Sequence, residues 1–200
     1  MAQAVELLFH RPILDENHDL QQVRRMAAGD EDALREIYAV YGQRLYAYAL
    51  RLTSDPYLAE DVVQDSLVAA WQGAPRFRGD SKVTTWLLGI VHHKALNAIR
   101  ARCPSPLDEI QESAAAPGLL PDEQAAVSEQ RRLIRAGLDE LSLEHRLTLE
   151  LVFYQGLSLA EAAEVCGCPV GTVKSRLSYA KASLRRVLSR NGIVAEAVDE

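Results

Sequence analysis

Apolar residues recur at intervals of three and four through most of the chain, the spacing of helices with one buried face, and strand-like alternation is almost absent. The pattern predicts an all-α protein. Gly29 predicts the end of one helix and Asp30 the cap of the next, whose inward face runs through Leu34, Ile37, Tyr38, Tyr41, Leu45, Tyr48 and Leu52. A turn at Ser54, Asp55 and Pro56 leads into YLAEDVVQDSLVAAW, where Ala59, Val62, Val63, Ser66, Leu67 and Ala70 share one side. Glu60, Asp61, Gln64 and Asp65 share the other. After a polar, glycine-containing loop, a further helix carries Trp86, Leu87, Ile90, Ala95, Leu96 and Ile99 on its apolar stripe.

Periodicity then lapses. Residues 103–122 concentrate proline, serine, alanine and acid, which predicts a flexible linker between two small helical domains over residues 19–102 and 123–191. Residues 1–18 form an N-terminal extension and 192–200 an acidic tail. Toward the carboxyl end, GLSLAEAAEVCGCPVGTVKSRLSYAKASLRRVL reads as helix, tight turn, helix. Ser158 and Glu161 have capping-box spacing, with Leu159, Ala162, Ala163 and Cys166 expected to face inward. Gly167 breaks that helix, and Pro169 introduces one whose buried stripe is Val170, Val173, Leu177, Ala180 and Leu184.

The net charge of −6 disfavours a nucleic-acid binder until its distribution is considered. Residues 30–70 hold eight acids against three bases, whereas residues 71–102 hold six bases and only Asp80. Residues 158–192 are basic again through Lys174, Arg176, Lys181, Arg185, Arg186 and Arg190. Two basic surfaces separated by acidic segments suit electrostatic docking, although a solvated charge face explains any single run. The carboxylates at i, i+1 and i+5 repel one another in an isolated helix, so their cluster gains most from a basic partner.

Several classes of protein are disfavoured. No apolar run approaches the roughly 18 to 20 residues that span a bilayer, and the amino terminus lacks a basic start, so the expectation is a cytoplasmic protein. Cys103, Cys166 and Cys168 are too few for a disulfide framework and show no zinc spacing; Cys166 and Cys168 read better as small apolar residues at a turn than as a redox switch. No nucleophile sits at a recognisable spacing from a base, and no glycine loop cradles phosphate. The expectation is no catalysis, no metal and no cofactor.

Candidate contacts with nucleic acid fall in two places. Arg76, Phe77, Arg78 and Lys82 combine cations with an aromatic ring, a composition that tracks a single strand and stacks on an extruded base, although Phe77 equally suits the end of a core. Trp86 suits packing better than base stacking. In the last helix Gly171, Ser175, Ser178 and Tyr179 lie opposite the buried stripe, flanked by Thr172 and Arg176 and by Lys174 and Lys181. That is a helix-turn-helix arrangement for the major groove, in which Arg176 and Lys174 can address guanine edges or phosphates; a hairpin that merely packs is the plainer alternative.

AEDVVQDSLVAAW, TWLLGIVHHKALNAIR and GTVKSRLSYAKASLR, in that order across an acidic linker, resemble the motif set of extracytoplasmic-function (ECF) sigma factors of the sigma-70 family. The resemblance implies that residues 19–102 are sigma domain 2 and residues 123–191 sigma domain 4. It implies docking of Glu60, Asp61, Gln64 and Asp65 on the clamp coiled coil of the largest subunit of RNA polymerase core. Arg76, Phe77, Arg78, Lys82, His92, His93, Lys94 and Arg100 would engage and help melt the minus-ten promoter element. Gly171, Thr172, Lys174, Ser175, Arg176, Ser178, Tyr179 and Lys181 would read the minus-thirty-five element as duplex. An anti-sigma factor that holds the chain inactive, in some cases at a membrane, is also implied. Two departures stand out: His92 and His93 where many members have Arg-Asn, and Ser142 where proline is common. The competing readings are a stand-alone helix-turn-helix regulator and a sigma-like interaction module without promoter opening.

Overall fold

The computed structural model describes residues 16–102, 137–138 and 141–190. The expected linker, the acidic tail, residues 1–15 of the extension and the start of the second domain lie outside the described residues. The described residues form helices joined by turns, and the chain divides into two compact units, Met1–Arg102 and Cys103–Glu200.

In the first unit, α1 (Glu16–Ala27) begins ahead of the expected boundary at residue 19 and leads to α2 (Glu31–Thr53), α3 (Pro56–Gly73), a 3-10 turn (Ala74–Arg76) and α4 (Val83–Arg102). Gly29 takes a positive φ of 89° where α1 stops, a conformation glycine adopts without the Cβ penalty. Asp30 then caps α2 by accepting from the Asp32 N–H at 3.0 Å, and its other oxygen accepts from Arg25 Nε at 2.8 Å. Helices α2, α3 and α4 pack on one another, with α1 laid against α2 and the 3-10 turn. Met26, Ile37, Leu45, Leu87, Leu88 and Val91 are almost fully withdrawn from water. Each such side chain contributes about 1.5–3 kcal/mol through burial.

Two expected inward faces need correction. Tyr38 is 54% exposed, because the buried side of α2 follows Ala33, Ile37, Tyr41, Leu45, Tyr48 and Leu52. On α4 the buried residues are Val83, Thr85, Leu87, Leu88, Val91, His92 and Ala95, while Trp86, Ile90, Leu96 and Ile99 are half-buried. This helix packs against both α2 and α3, so its inner arc is wider than an amphipathic stripe and takes in polar residues. One such contact lies between α1 and α2: the Tyr41 hydroxyl donates to the Asp19 carboxylate, both residues being buried. Burial, and then the hydrogen bond to Asp19, push the Tyr41 hydroxyl pKa up to about 12.

In the second unit, α5 (Leu143–Leu149) runs into a π-helical turn (Glu150–Tyr154), followed by α6 (Leu159–Cys166) and α7 (Val170–Arg190). Ser142 caps α5, so the departure from proline supplies a side-chain cap. The predicted capping box is formed: the Glu161 N–H donates to Ser158 Oγ at 3.2 Å, and the Ser158 N–H donates to Glu161 Oε2 at 2.8 Å. Gly167, with φ 62°, closes α6 in the left-handed region. Ala162, Ala163 and Val165 are buried, but Leu159 and Cys166 only partly so. On α7 the inward set is Val173, Leu177, Ala180 and Ser183; Val170, at the open start, is 39% exposed, and Leu184 is half-buried. Pro169 precedes the helix and accepts the Thr172 N–H at 2.9 Å.

Candidate functional site

The acidic face is set by how α3 begins. Asp55 Oδ1 accepts from the N–H groups of Tyr57 at 2.9 Å and Leu58 at 3.2 Å, and Pro56 pre-sets the first turn. That start phases Leu58, Ala59, Val62, Val63, Ser66 and Ala70 inward and leaves Glu60, Asp61, Gln64 and Asp65 exposed together, as the sequence predicted. Two residues missed by the sequence reading join them: Tyr57 is 79% and Val68 55% exposed. Their spacing of eleven residues places them on the line of the carboxylates, and only that periodicity, not their type, marked them. The face therefore has an aromatic group at one end and an aliphatic one at the other.

Beyond α3 the chain makes the 3-10 turn, closed by the Phe77 N–H donating to Ala74 O at 3.2 Å. The Phe77 ring stacks on Trp86, centroids 4.6 Å apart and planes 29° apart, and a Cβ on Gly73 would stand 3.4 Å from the Trp86 ring. Both aromatic rings are half-buried. Phe77 thus covers the end of the core while keeping an accessible edge. Around it Arg76, Arg78 and Lys82 are exposed; Arg78 pairs with Asp80 at 3.0 Å and Lys82 with Glu16 at 3.7 Å.

On α4, His93 and Arg100 are exposed and Lys94 is half-exposed, its Nζ 3.9 Å from Asp65 Oδ2. His92 departs from the expected set. It is buried, with Nδ1 2.8 Å from the Tyr48 hydroxyl and its ring stacked over that of Tyr48, centroids 6.3 Å apart. Adjacent helix positions diverge by about 100°, so His92 turns into the core while His93 faces outward. His92 as placed reaches no ligand outside the fold.

On α7, Gly171, Lys174, Ser175, Ser178 and Tyr179 are exposed, and Thr172 and Lys181 half-exposed. Ser175 Oγ donates back to Thr172 O at 2.9 Å, and Lys181 Nζ lies 5.6 Å from the centre of the exposed Phe153 ring. Arg176 differs from its neighbours. Only 20% of its side chain is exposed, it pairs with Glu144, and its Nη1 lies 3.8 Å from Cys168 Sγ. Burial pushes the nearby Cys166 thiol up to about 11, which suits a packing role rather than a reactive one.

These three surfaces fall within the two stretches that match family models. Sigma-70 region 2 matches residues 37–103 and Sigma-70, region 4 matches residues 131–184. The ECF RNA polymerase sigma factor SigL of Mycobacterium tuberculosis is 36% identical over 87% of this chain and 99% of its own length. SigW of Bacillus subtilis, also an ECF sigma factor, is 26% identical over 84% of this chain and 95% of its own. Two solved structures share the fold. CnrH, in complex with the cytosolic domain of CnrY, has a TM-score of 0.64 at 25% identity, covering 88% of this chain and 99% of that one. RpoE of Bartonella quintana, in complex with the anti-sigma factor NepR, has a TM-score of 0.61 at 29% identity, covering 78% and 96%. The chain belongs to the extracytoplasmic-function sigma factors of the sigma-70 family and acts as a sigma factor in promoter-directed transcription initiation.

Proposed function

We propose that the tasks of this sigma factor are divided among three exposed surfaces. The face of α3 bearing Glu60, Asp61, Gln64 and Asp65 docks on a basic coiled-coil clamp of the polymerase's largest subunit, with Tyr57 and Val68 as apolar anchors at its ends. The loop with Arg76, Phe77, Arg78 and Lys82, followed by His93, Lys94 and Arg100 of α4, engages the minus-ten element as its strands separate. The outer side of α7 reads the minus-thirty-five element. Opening is driven by binding: capture of an extruded base offsets the few kcal/mol of unstacking while cations hold the displaced backbone. The protein is a regulatory binding factor and carries out no reaction of its own.

The observation that carries this reading is the segregation of charge over one small unit. Helix α3 exposes Glu60, Asp61 and Asp65 and bears no Lys or Arg, whereas the loop and helix that follow it expose Arg76, Arg78, Lys82 and Arg100 against the single acid Asp80. An anti-sigma partner that covers these surfaces completes the proposal; the structure of RpoE with the anti-sigma factor NepR supports it.

In vitro transcription with core enzyme over random promoter fragments tests the assignment. The wild-type chain is expected to yield selective starts, and a variant with Glu60, Asp61 and Asp65 changed to alanine to lose them about 100-fold, since breaking even one charge pair that becomes buried at an interface costs about 2–5 kcal/mol. Equal transcription by the two proteins refutes the docking face, and absence of selective starts with the wild type refutes the whole reading. Comigration with polymerase alone in native extracts would count against an anti-sigma partner.

A further inference from the structure

Helix α7 is held along one flank by the first turn of α5, through two contacts made by adjacent residues. Glu144 accepts from Arg176. His145 lays its ring on Tyr179, centroids 4.7 Å apart and planes 19° apart. His145 is itself fixed by Ser142, whose Oγ lies 2.7 Å from its Nδ1. Arg176 and Tyr179 are one turn apart on α7, so they share a flank. These two contacts, a turn apart, add to the buried packing of Val173, Leu177 and Ala180 in fixing the roll and tilt of the helix.

The guanidinium of Arg176 is also poorly placed for reading. Arginine recognises guanine through a bidentate fork. Here one arm of that fork is bonded to Glu144, the other faces Cys168 Sγ, and little of the side chain reaches solvent. Lys174 and Ser175, its neighbours in sequence, are exposed.

We infer that Ser142, Glu144 and His145 form a bracket that sets how α7 is presented to duplex DNA, and that Arg176 is a positioning residue rather than a reader of bases or phosphates. This rests on the assignment of α7 to duplex recognition. Reading then falls to Thr172, Lys174, Ser175 and Ser178, and the selectivity of those side chains depends on residues that never touch DNA.

The test uses holoenzyme reconstituted from core and the full chain. Its probes are the duplex it enriches from a pool randomised across the upstream promoter element, and a scrambled duplex of equal length. E144Q and R176Q are each expected to weaken binding to the enriched duplex about tenfold, as one mismatched contact would. Binding to the scrambled duplex should change less than about twofold, and the salt dependence should stay as in the wild type. The charge-swapped E144R/R176E variant should recover most of the loss.

Three results overturn the proposal. One is a salt slope that falls by about 0.9 in R176Q, the signature of a lost phosphate contact. Another is loss of preference at a single base pair in R176Q with no recovery in the swap. The third is a fall in both affinities that tracks the folded fraction in a thermal melt while their ratio stays fixed. The underlying assignment is probed separately by K174A: unchanged affinity for both duplexes would remove α7 from duplex recognition, and the proposal with it.

Discussion

The two helical units solve the problem of presenting charge in different ways. In the first, three long helices enclose a core that includes Tyr48, Leu45, Leu87 and Leu88, and the carboxylates of α3 stand exposed, Asp65 lying 3.9 Å from Lys94. In the second, among the described residues, α5 and α6 pack on α7, and the buried residues include Leu147, Leu151, Ala162, Val165, Val173 and Ala180. There an arginine and a tyrosine from the outward half of α7 are drawn into contacts with α5. The acidic face of α3 stands clear of its own fold, whereas the outward half of α7 is partly tied into its own.

The comparison is broken most directly at His92. Changing it to alanine removes a buried ring and a partner of the Tyr48 hydroxyl, and should destabilise the first unit by about 2–4 kcal/mol. The same change at exposed His93 should stay within about 0.5 kcal/mol. Denaturant unfolding of the two variants checks both, and equal effects would contradict the division between scaffold and surface.

A smaller effect is expected at Tyr41. Y41F should cost about 1–3 kcal/mol at neutral pH because the buried Asp19 loses a donor. The pH dependence sharpens this. The folded pKa of Tyr41 is raised from 10.0 to about 12, so its contribution is complete below pH 10 and is lost as pH rises through 12. The gap between wild type and Y41F should therefore narrow across that window, and melting curves at pH 9, about 11 and about 12 follow it. A constant gap would mean that the hydroxyl is not held by the carboxylate.

The smallest effect belongs to the second unit. S158A removes one half of the capping box and should lower stability by about 1 kcal/mol. Because the two units are separate compact bodies, the loss should appear as earlier melting of the carboxyl-terminal half alone, which amide exchange resolves. Uniform loosening of both halves would show that the units do not stand independently.

What was legible in the sequence was mostly local. Gly29 with Asp30, Asp55 with Pro56, and Ser158 with Glu161 and Gly167 mark helix ends through short-range hydrogen bonds and backbone preferences, and each marks a helix end in the structure. The exposed carboxylates of α3 followed from one well-phased stripe. What failed depended on distant partners. The inner side of α4 was misjudged because two helices cover it, and His92 read as a surface base because nothing nearby announces that Tyr48 will meet it. The π-helical turn has no pattern that periodicity could reveal. The contact of Arg176 with Glu144 was hidden for the same reason as that of His92, its partner standing 32 residues earlier.

One carboxylate holds more of the first unit than its position suggests. Asp55 secures the start of α3 with one oxygen and receives Arg102, the final residue of α4, with the other. The Arg102 guanidinium, then the amides of the cap, hold its pKa below the ordinary 3.8, so the hold is full above that value and is released as acidity carries the group through its lowered one. A single proton at that knot loosens the root of the acidic helix and the last turn of the basic one in the same event.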